Sequence, residues 1–591
     1  MSASTNQLDY KINHDLINER YIVTKVESSK KMKPSLMFLD SVLDNNKILS
    51  VCYTEFNEVF VLMENDQNTL YQFTNALSDY DDLSFKKVHS ETVKDSILIQ
   101  LFINSLARSR ISSFSYNNLS GHLYIAVNPD DKNKKQIKTI EIKIDKECCL
   151  QVDVRTFTSR ELERFIEFKK DRNFSSYPQY ALVDNRHLKR IARSEKNSYI
   201  MRQTRNRKSE VKFLDFQNLE KFSKSKCGII QNVMEQFTNR YGDLITMQFS
   251  EIKEPIVIEH KSAMTRIEKT RLSAIFKKTP VRIVDYVKTD LSADLSKTLA
   301  ELFLVNGADV KESKYLKKNC YNVCVVHEKE KYQEGEDPHS KIEISGPNQC
   351  ITVETYAELI SKKSKYDVLK NVKNTIIHEL LIKDDIRKGR ISTYDWSENN
   401  YSGCWRFIEK YKDNEGTKFC CMDIQPEGSF KITTYDYNLF SMSQYAKYEN
   451  VFQTSKGTLG IVEDSQGNIN CIVDTNRFTI PNLVGIKQEL VSGNNKLKNK
   501  EKREDLLTSI IDVNYFSDDS GTSYYVGIAQ DMLQYTTNNA TLIRKAEPVS
   551  GSAPIFNDLL PLMNVMFVKN GQLTVIPFPF KYIREYMNLE S

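Results

Sequence analysis

The chain lacks most of the features that announce a function directly. Glycine is sparse, 19 in 591 residues, and no G-x-x-x-x-G-K-[ST] phosphate loop occurs, which argues against a nucleotide-hydrolysing motor. No apolar run approaches the roughly 20 residues needed to span a bilayer. The N-terminus is polar from its first residues, so no secretory signal peptide is expected. No internal repeat is present. Charge of one sign is also missing: the net +5 is too small to identify a nucleic-acid partner by itself. Cysteines number eleven, an odd count, and the adjacent pairs Cys148-Cys149 and Cys420-Cys421 lie in strand-like runs where disulfide pairing is poor. A reducing cytoplasmic location is therefore expected. Cys320, Cys324 and His327 imitate a metal-ligand spacing, but their alternating apolar context reads as a strand rather than zinc, and no metal site is expected.

What is present is an ordinary globular composition, 40% hydrophobic and 27% charged, in a chain long enough for three to five domains. The expected fold class is α/β and α+β multidomain. Residues 1–150 read as an N-terminal α+β domain. Its strand-like runs are Lys47–Tyr53, Glu58–Met63, His122–Val127 and Lys138–Ile144, with a helical pattern over Val93–Leu106. Residues 151–240 form a basic linker-like region. Between Arg186 and Lys212 lie Lys189, Arg190, Arg193, Lys196, Arg202, Arg205, Arg207 and Lys208, interleaved with Tyr199 and Phe213. Such a run suits a groove that tracks a phosphate backbone, with aromatics to stack on bases; the alternative is a solvated helix face. Residues 241–312 form a second linker, with a strand expected over Glu251–Glu259 and a second basic run over Lys261–Lys288.

The most informative stretch lies in the α/β segment 313–390. Tyr321–Val326 alternates and is β-branched, Gln349–Val353 is a second short strand, and a helix follows in which Val372, Ile376, Leu380 and Lys383 share one stripe. A lysine near the apolar face either lifts its ammonium to solvent or reaches a buried anion. Residues 391–591 begin as a β-meander, Cys404–Tyr411, Lys418–Ile424 and Ser429–Tyr435, separated by Asn-Glu-Gly and Pro-Glu-Gly turns. Gly457–Val462 and Ile469–Val473 follow as a further pair. Ser492–Glu504 is a polar, lysine-rich loop.

The order strand, Tyr/Lys-bearing loop, Gln-Cys-apolar strand, helix with Lys resembles the MID domain of Argonaute proteins. In that family a Tyr, a Lys, a Gln and a Lys hold the 5′ phosphate of a guide strand. Tyr332, Gln349 and Lys383 match three of the four, and Lys341 or His339 stands for the first lysine. Asp558–Lys569, followed by Val575-Ile-Pro-Phe-Pro-Phe-Lys-Tyr582, resembles the end of an Argonaute PIWI domain. The resemblance covers roughly 315–591. It implies a MID-like, Rossmann-like domain over 313–390, an RNase H-like PIWI domain over 391–591, and leaves room for a PAZ-like element within 151–240.

Two-metal phosphodiester cleavage needs carboxylates converging on ions about 4 Å apart. By the resemblance, Asp474 matches one acid. Glu409 and Asp423 lie on the first two meander strands, where another acid is due, and Asn564 stands at the place of a histidine. This pattern implies a degenerate site. The resemblance then implies a guide-dependent nucleic-acid-binding protein that recognises complementary plasmid or phage nucleic acid in prokaryotic defence, without cutting it. Its expected partners are a short guide RNA or DNA, a complementary target that is DNA, and a separate effector protein (a nuclease, a helicase or an NADase). No cofactor is required, with Mg2+ at the guide phosphate the one ion that the family suggests. The alternatives are an active guide-directed PIWI endonuclease and an unguided single-strand-binding protein.

Overall fold

The computed structural model describes residues 3–29, 48–54, 58–78, 80–108, 116–119, 121–127, 136–159, 178–183, 187–191, 198–201, 211–252, 269–333, 335–344, 346–362, 365–392, 394–396, 402–413, 415–455, 457–493, 515–517, 523–526, 536–537, 540, 542–563 and 576–590. Contacts divide the chain into two compact units. The first comprises Met1–Lys253, Asn476–Asp512 and Gln530–Ala540; the second comprises Glu254–Thr475, Val513–Ala529 and Thr541–Ser591. This division cuts across the five segments read from the sequence, because 476–512 and 530–540 join the N-terminal part.

The first unit is α+β. One sheet runs in the order His187–Ile191, Gln179–Val183, Tyr199–Met201, Leu150–Ser159, Gln136–Ile144, His122–Ala126, Tyr116–Leu119, and the pairings are antiparallel. A second antiparallel sheet orders Ile48–Tyr53, Glu58–Glu64, Tyr21–Ser28 and Leu83–Val88. The expected helix is Asp95–Ser105, and every residue from Leu98 onward is buried. Its polar members are therefore bonded internally. Gln100 Nε2 donates to Asn104 Oδ1 at 2.8 Å, and Asn104 Nδ2 donates to the carbonyls of Val51 and Gly121. Gly121 is required there: its φ is +82°, and a Cβ would lie 2.6 Å from the Tyr53 nitrogen. The basic run enters this unit as strand at His187–Ile191 and Tyr199–Met201, so the helix-face alternative fails at those residues. The strand expected over Glu251–Glu259 begins earlier, at Ile245, and is described only to Ile252.

The second unit contains a parallel sheet in the order Val310–Glu312, Val281–Asp285, Tyr321–Val326, Asn348–Thr352. Parallel neighbours need crossovers, supplied by the helix Asp290–Leu304 and by a longer connection that contains His339–Ile344. Val281, Ile283, Val323, Val325 and Ile351 pack on one side, with helical residues Leu295, Leu299 and Leu380. Val284, Cys324 and Val326 pack on the other, with Ile342 and Cys350. The strand Tyr321–Val326 is buried throughout, as a parallel strand covered on both faces must be. Cys324 is one of these core residues, and among the described residues no group of three or more His, Cys, Asp or Glu could hold a metal ion.

The helix Lys365–Lys388 then leads to a second sheet. Its path is Phe430–Asp436, Thr417–Ile424, Trp405–Lys412, Thr458–Glu463, Ile469–Ile480, Leu542–Pro548, Ser523–Val526, Tyr515–Ser517. The meander is present as expected. The further pair is also present, as a hairpin: Thr458–Glu463 pairs antiparallel with Trp405–Lys412, and Ile469–Ile480 pairs antiparallel with it in turn. Val549 N–H donates to the Ile469 carbonyl and Thr475 Oγ1 to the Ile543 carbonyl, so Leu542–Pro548 also runs counter to its neighbour. The physical reason is the connection. Two short helices, Tyr437–Met442 and Ala446–Thr454, return the chain antiparallel to the first strand, and the tight turn Asp464–Asn468 makes a hairpin. One face carries Phe407, Ile472 and the helices Phe556–Met563 and Pro579–Glu590; the other carries Ile408, Phe419 and the helical residues Phe440, Tyr448 and Val451. Among the described residues no helix is long and apolar enough to cross a membrane.

Candidate nucleic-acid-binding site

Lys383 sits near the end of the helix Lys365–Lys388, on the side that meets the parallel sheet. Its Nζ donates to the Asn348 carbonyl at 2.9 Å and to Gln349 Oε1 at 3.1 Å. Gln349 and Lys383, 34 residues apart, are thus brought together. The lysine side chain is only 10% exposed, and Glu585 of the terminal helix faces it at 3.9 Å with 8% exposure. Lys581 approaches the same Glu585 at 3.6 Å and Glu379 at 3.9 Å. The ammonium therefore does not reach solvent along its stem; it lies in a partly buried network of two lysines and two glutamates. Burying a charge is costly unless it is paired, and here the partner carboxylate comes from the last helix of the chain. Displacing Glu585 would leave a lysine and an amide converging on one place, which suits a phosphate oxygen.

Tyr332 lies elsewhere. Gln349 is level with Val323 in the sheet, three residues short of the strand's carboxyl end, roughly 10 Å along it. Tyr332 is beyond that end: its hydroxyl accepts the His327 N–H at 2.9 Å, and its ring meets His327 and His339 edge-on at 6.0 and 5.9 Å. His327 Nδ1 is 2.6 Å from Glu354, and His339 Nδ1 is 2.5 Å from Asp337. Burial raises the Glu354 carboxyl, but Lys331 and His327 outweigh it and hold it down at about 2. Of the two stand-ins for the first lysine, His339 belongs to this cluster, whereas Lys341 is exposed on the helix His339–Ile344. The expected phosphate ligands thus separate into Gln349 with Lys383 and Tyr332 with the alternative His339, while Lys341 joins neither group.

The acids of the second sheet are each held by an arginine. Arg584 Nε donates to Glu409 at 2.8 and 3.1 Å. Arg406 Nε donates to Asp423 at 2.7 Å, and its NH1 to Glu463 at 3.0 Å. Arg544 NH1 donates to Asp474 at 2.9 Å. Side chains alternate along a strand, so Glu409 shares a face with Phe407, and Asp474 with Ile472. Asp423 points to the opposite face, with Phe419 and Cys421. These acids cannot all converge on one pair of ions. Burial pushes the Glu409 carboxyl up, and Arg584 only partly offsets this. Burial likewise lowers the Arg544 guanidinium, against the pull of Asp474 and with the neighbouring Arg584 adding to the fall. Asn564 lies outside the described residues.

Of the first basic run, Lys189 is exposed and Arg190 half-buried on the strand His187–Ile191. Arg193, Lys196, Arg202, Arg205, Arg207 and Lys208 lie outside the described residues. In the second run, Arg282 pairs with Asp309 at 3.3 Å. Sequence reasoning missed Glu585, Lys581 and the arginines Arg406, Arg544 and Arg584. Only Lys581 and Glu585 left a local signal, their i,i+4 spacing in the terminal helix; the arginines are recognised by strand register alone. Compared with known proteins, the chain matches no protein-family model and no curated protein.

Proposed function

We propose that the chain binds a nucleic-acid strand through a terminal phosphate at Gln349 and Lys383, and uses that strand as a guide to hold complementary nucleic acid without cutting it. The observation that carries this reading is the meeting of Gln349 and Lys383 in a half-buried, polar position beside the parallel sheet. It supports an Argonaute-like organisation, with a MID-like role for 313–390 and a PIWI-like role for 391–591. Retention rather than cleavage is supported by Glu409, Asp423 and Asp474, each tied to an arginine and divided between two faces of the sheet. A Mg2+ ion does not fit the phosphate position: Gln349 Oε1 and the Glu585 carboxylate already face the ammonium groups of Lys383 and Lys581, which would repel a cation. Cutting or signalling would fall to a separate effector, in a defence role against plasmid or phage nucleic acid.

A second reading, an unguided single-strand binder, draws support from Glu585, which already neutralises Lys383, and from Tyr332, whose hydroxyl is engaged elsewhere. The test loads purified protein with a matched 5′-phosphorylated guide and supplies Mg2+ or Mn2+. Retention of a complementary target without a discrete product is expected. Equal retention of unrelated strands would favour the unguided reading. A product opposite a fixed guide position, lost in Asp474→Ala, would favour the endonuclease.

A further inference from the structure

A cavity of about 730 Å³ lies between the end of the helix Lys269–Lys278, the segment 390–396 and the turn at 426–427. Its volume is within the range of small-molecule sites. Its lining is not that of a plain crevice: Lys278 and Arg390 supply two cations, Asp395 and Glu427 two carboxylates, and Tyr394 and Trp396 an aromatic wall.

This wall is built in advance. Trp396 meets Tyr394 at 4.9 Å and 73°, and both rings pack on Phe578, at 6.2 and 5.2 Å. The indole also lies directly on Gly428. With φ at +86°, that residue has no Cβ, and one placed there would fall 2.1 Å from Trp396 Nε1. The same turn is tied to the segment bearing Arg390: Ile391 N–H donates to the Gly428 carbonyl at 2.8 Å, and Arg390 bridges to Ser429. The indole N–H is buried without a hydrogen-bond partner among the described residues, an uncommon condition for a native donor.

We infer that this cavity binds a nucleotide unit, its base against Trp396, which Tyr394 backs from the core at 5% exposure, and its phosphate between Lys278 and Arg390. Aromatic side chains stack on any base, and two cations suit a phosphate dianion. Glu427, one of whose oxygens accepts from Ser429 Oγ, keeps a second oxygen that can accept from an exocyclic amine or a ribose hydroxyl. A bare inorganic anion would leave the aromatic wall unused, and an apolar ligand would leave both cations unused. The unit can be a free nucleotide or one residue of a strand. The inference goes beyond the guide-strand reading and does not rest on it, because Lys383 and Gln349 do not line this cavity.

The chain's only two tryptophans provide the readout, since Trp405 is buried in the core at 1% exposure while Trp396 lines the cavity. Full-length protein is titrated with AMP, adenosine, inorganic phosphate and a short 5′-hydroxyl oligoadenylate while tryptophan emission is followed. AMP is expected to change the emission, with adenosine and phosphate each about tenfold weaker or worse. Lys278→Ala, at an exposed helix end, should weaken AMP by about tenfold, as should Arg390→Ala. Trp396→Phe should abolish the response. Tighter binding of the oligonucleotide assigns the unit to a strand; equal or tighter binding of AMP assigns it to a free nucleotide. The inference is overturned if neither binds more tightly than about 1 mM, if both cation variants bind like the parent, or if the response survives Trp396→Phe.

Discussion

Charges are paired in opposite ways in the two sheets of the second unit. Beside the parallel sheet, Lys383 has a carbonyl, an amide and a carboxylate at 3.9 Å. That is a loose set, in which the carboxylate is the one replaceable member. In the antiparallel sheet, Glu409, Asp423 and Asp474 are each closed by an arginine at 2.7 to 2.9 Å. A loose cation can exchange an internal anion for an external one. A tightly paired acid cannot take a metal without first losing its arginine. The difference separates binding chemistry from structural chemistry where residue types alone do not.

The comparison can be broken most severely at Arg406. Its guanidinium serves both Asp423 and Glu463, and Glu463 is 5% exposed. Arg406→Ala should lower stability by about 3 kcal/mol, read as a fall in the urea midpoint. A loss below about 1 kcal/mol would place this network with ordinary surface pairs, and with it the claim that the acids are structural.

Next in size is a pH effect on the helix Lys365–Lys388, which both regions share. Burial pushes the Asp385 carboxyl up to about 6, against hydrogen bonds from Ser392 and Tyr582 and with Asp384 adding to the rise. The folded state therefore holds the extra proton between the ordinary value of 3.8 and about 6, and stability falls as pH rises through that window. Burial lowers His378 from 6.5 to about 4, so the unfolded chain takes that proton first and stability rises with pH over the same range. Each contribution is worth up to about 3 kcal/mol, and in the parent they oppose one another. Relative to the parent, Asp385→Asn should make urea midpoints climb more steeply from pH 4 to 6, and His378→Leu should make them fall. Parallel profiles for all three proteins would contradict both assignments.

A smaller effect sharpens the first half of the comparison. Glu585→Gln removes the internal anion from Lys383 and should tighten 5′-phosphorylated strands by about tenfold, or about 1.4 kcal/mol, with no change for 5′-hydroxyl strands. Weaker binding would mean that Glu585 positions the lysine rather than competing for it. The smallest effect is on the other side. Asp474→Ala should leave retention of a guided target unchanged in a filter-binding assay, whereas a marked loss would show that this acid serves the ligand rather than Arg544.

Much of the local structure was legible. Period-two alternation marked Tyr321–Val326 and the meander strands to within a residue or two, and the helical stripe put Lys383 on an inward face. Strand direction was not legible at Thr458–Glu463, because hydrophobic alternation looks the same in both directions and the outcome depends on how two short helices return the chain. The site was half legible. Gln349 and Lys383 meet because one strand and one helix carry them. Tyr332 resembles a third ligand in spacing, yet its loop closes over the carboxyl end of the sheet. Glu585, 202 positions beyond Lys383, and the arginine partners Arg406, Arg544 and Arg584 depend on register and on docking of the last helix, which no local pattern encodes.

The central claim, that Lys383 and Gln349 form a terminal-phosphate site, is tested most directly by measuring the affinity of paired 5′-phosphorylated and 5′-hydroxyl oligonucleotides for the parent and for Lys383→Ala. A charge-assisted contact of about 1.5–3 kcal/mol predicts roughly ten- to a hundredfold loss for the phosphorylated strand and little change for its hydroxyl twin. Equal losses for both strands, or none for either, would contradict it.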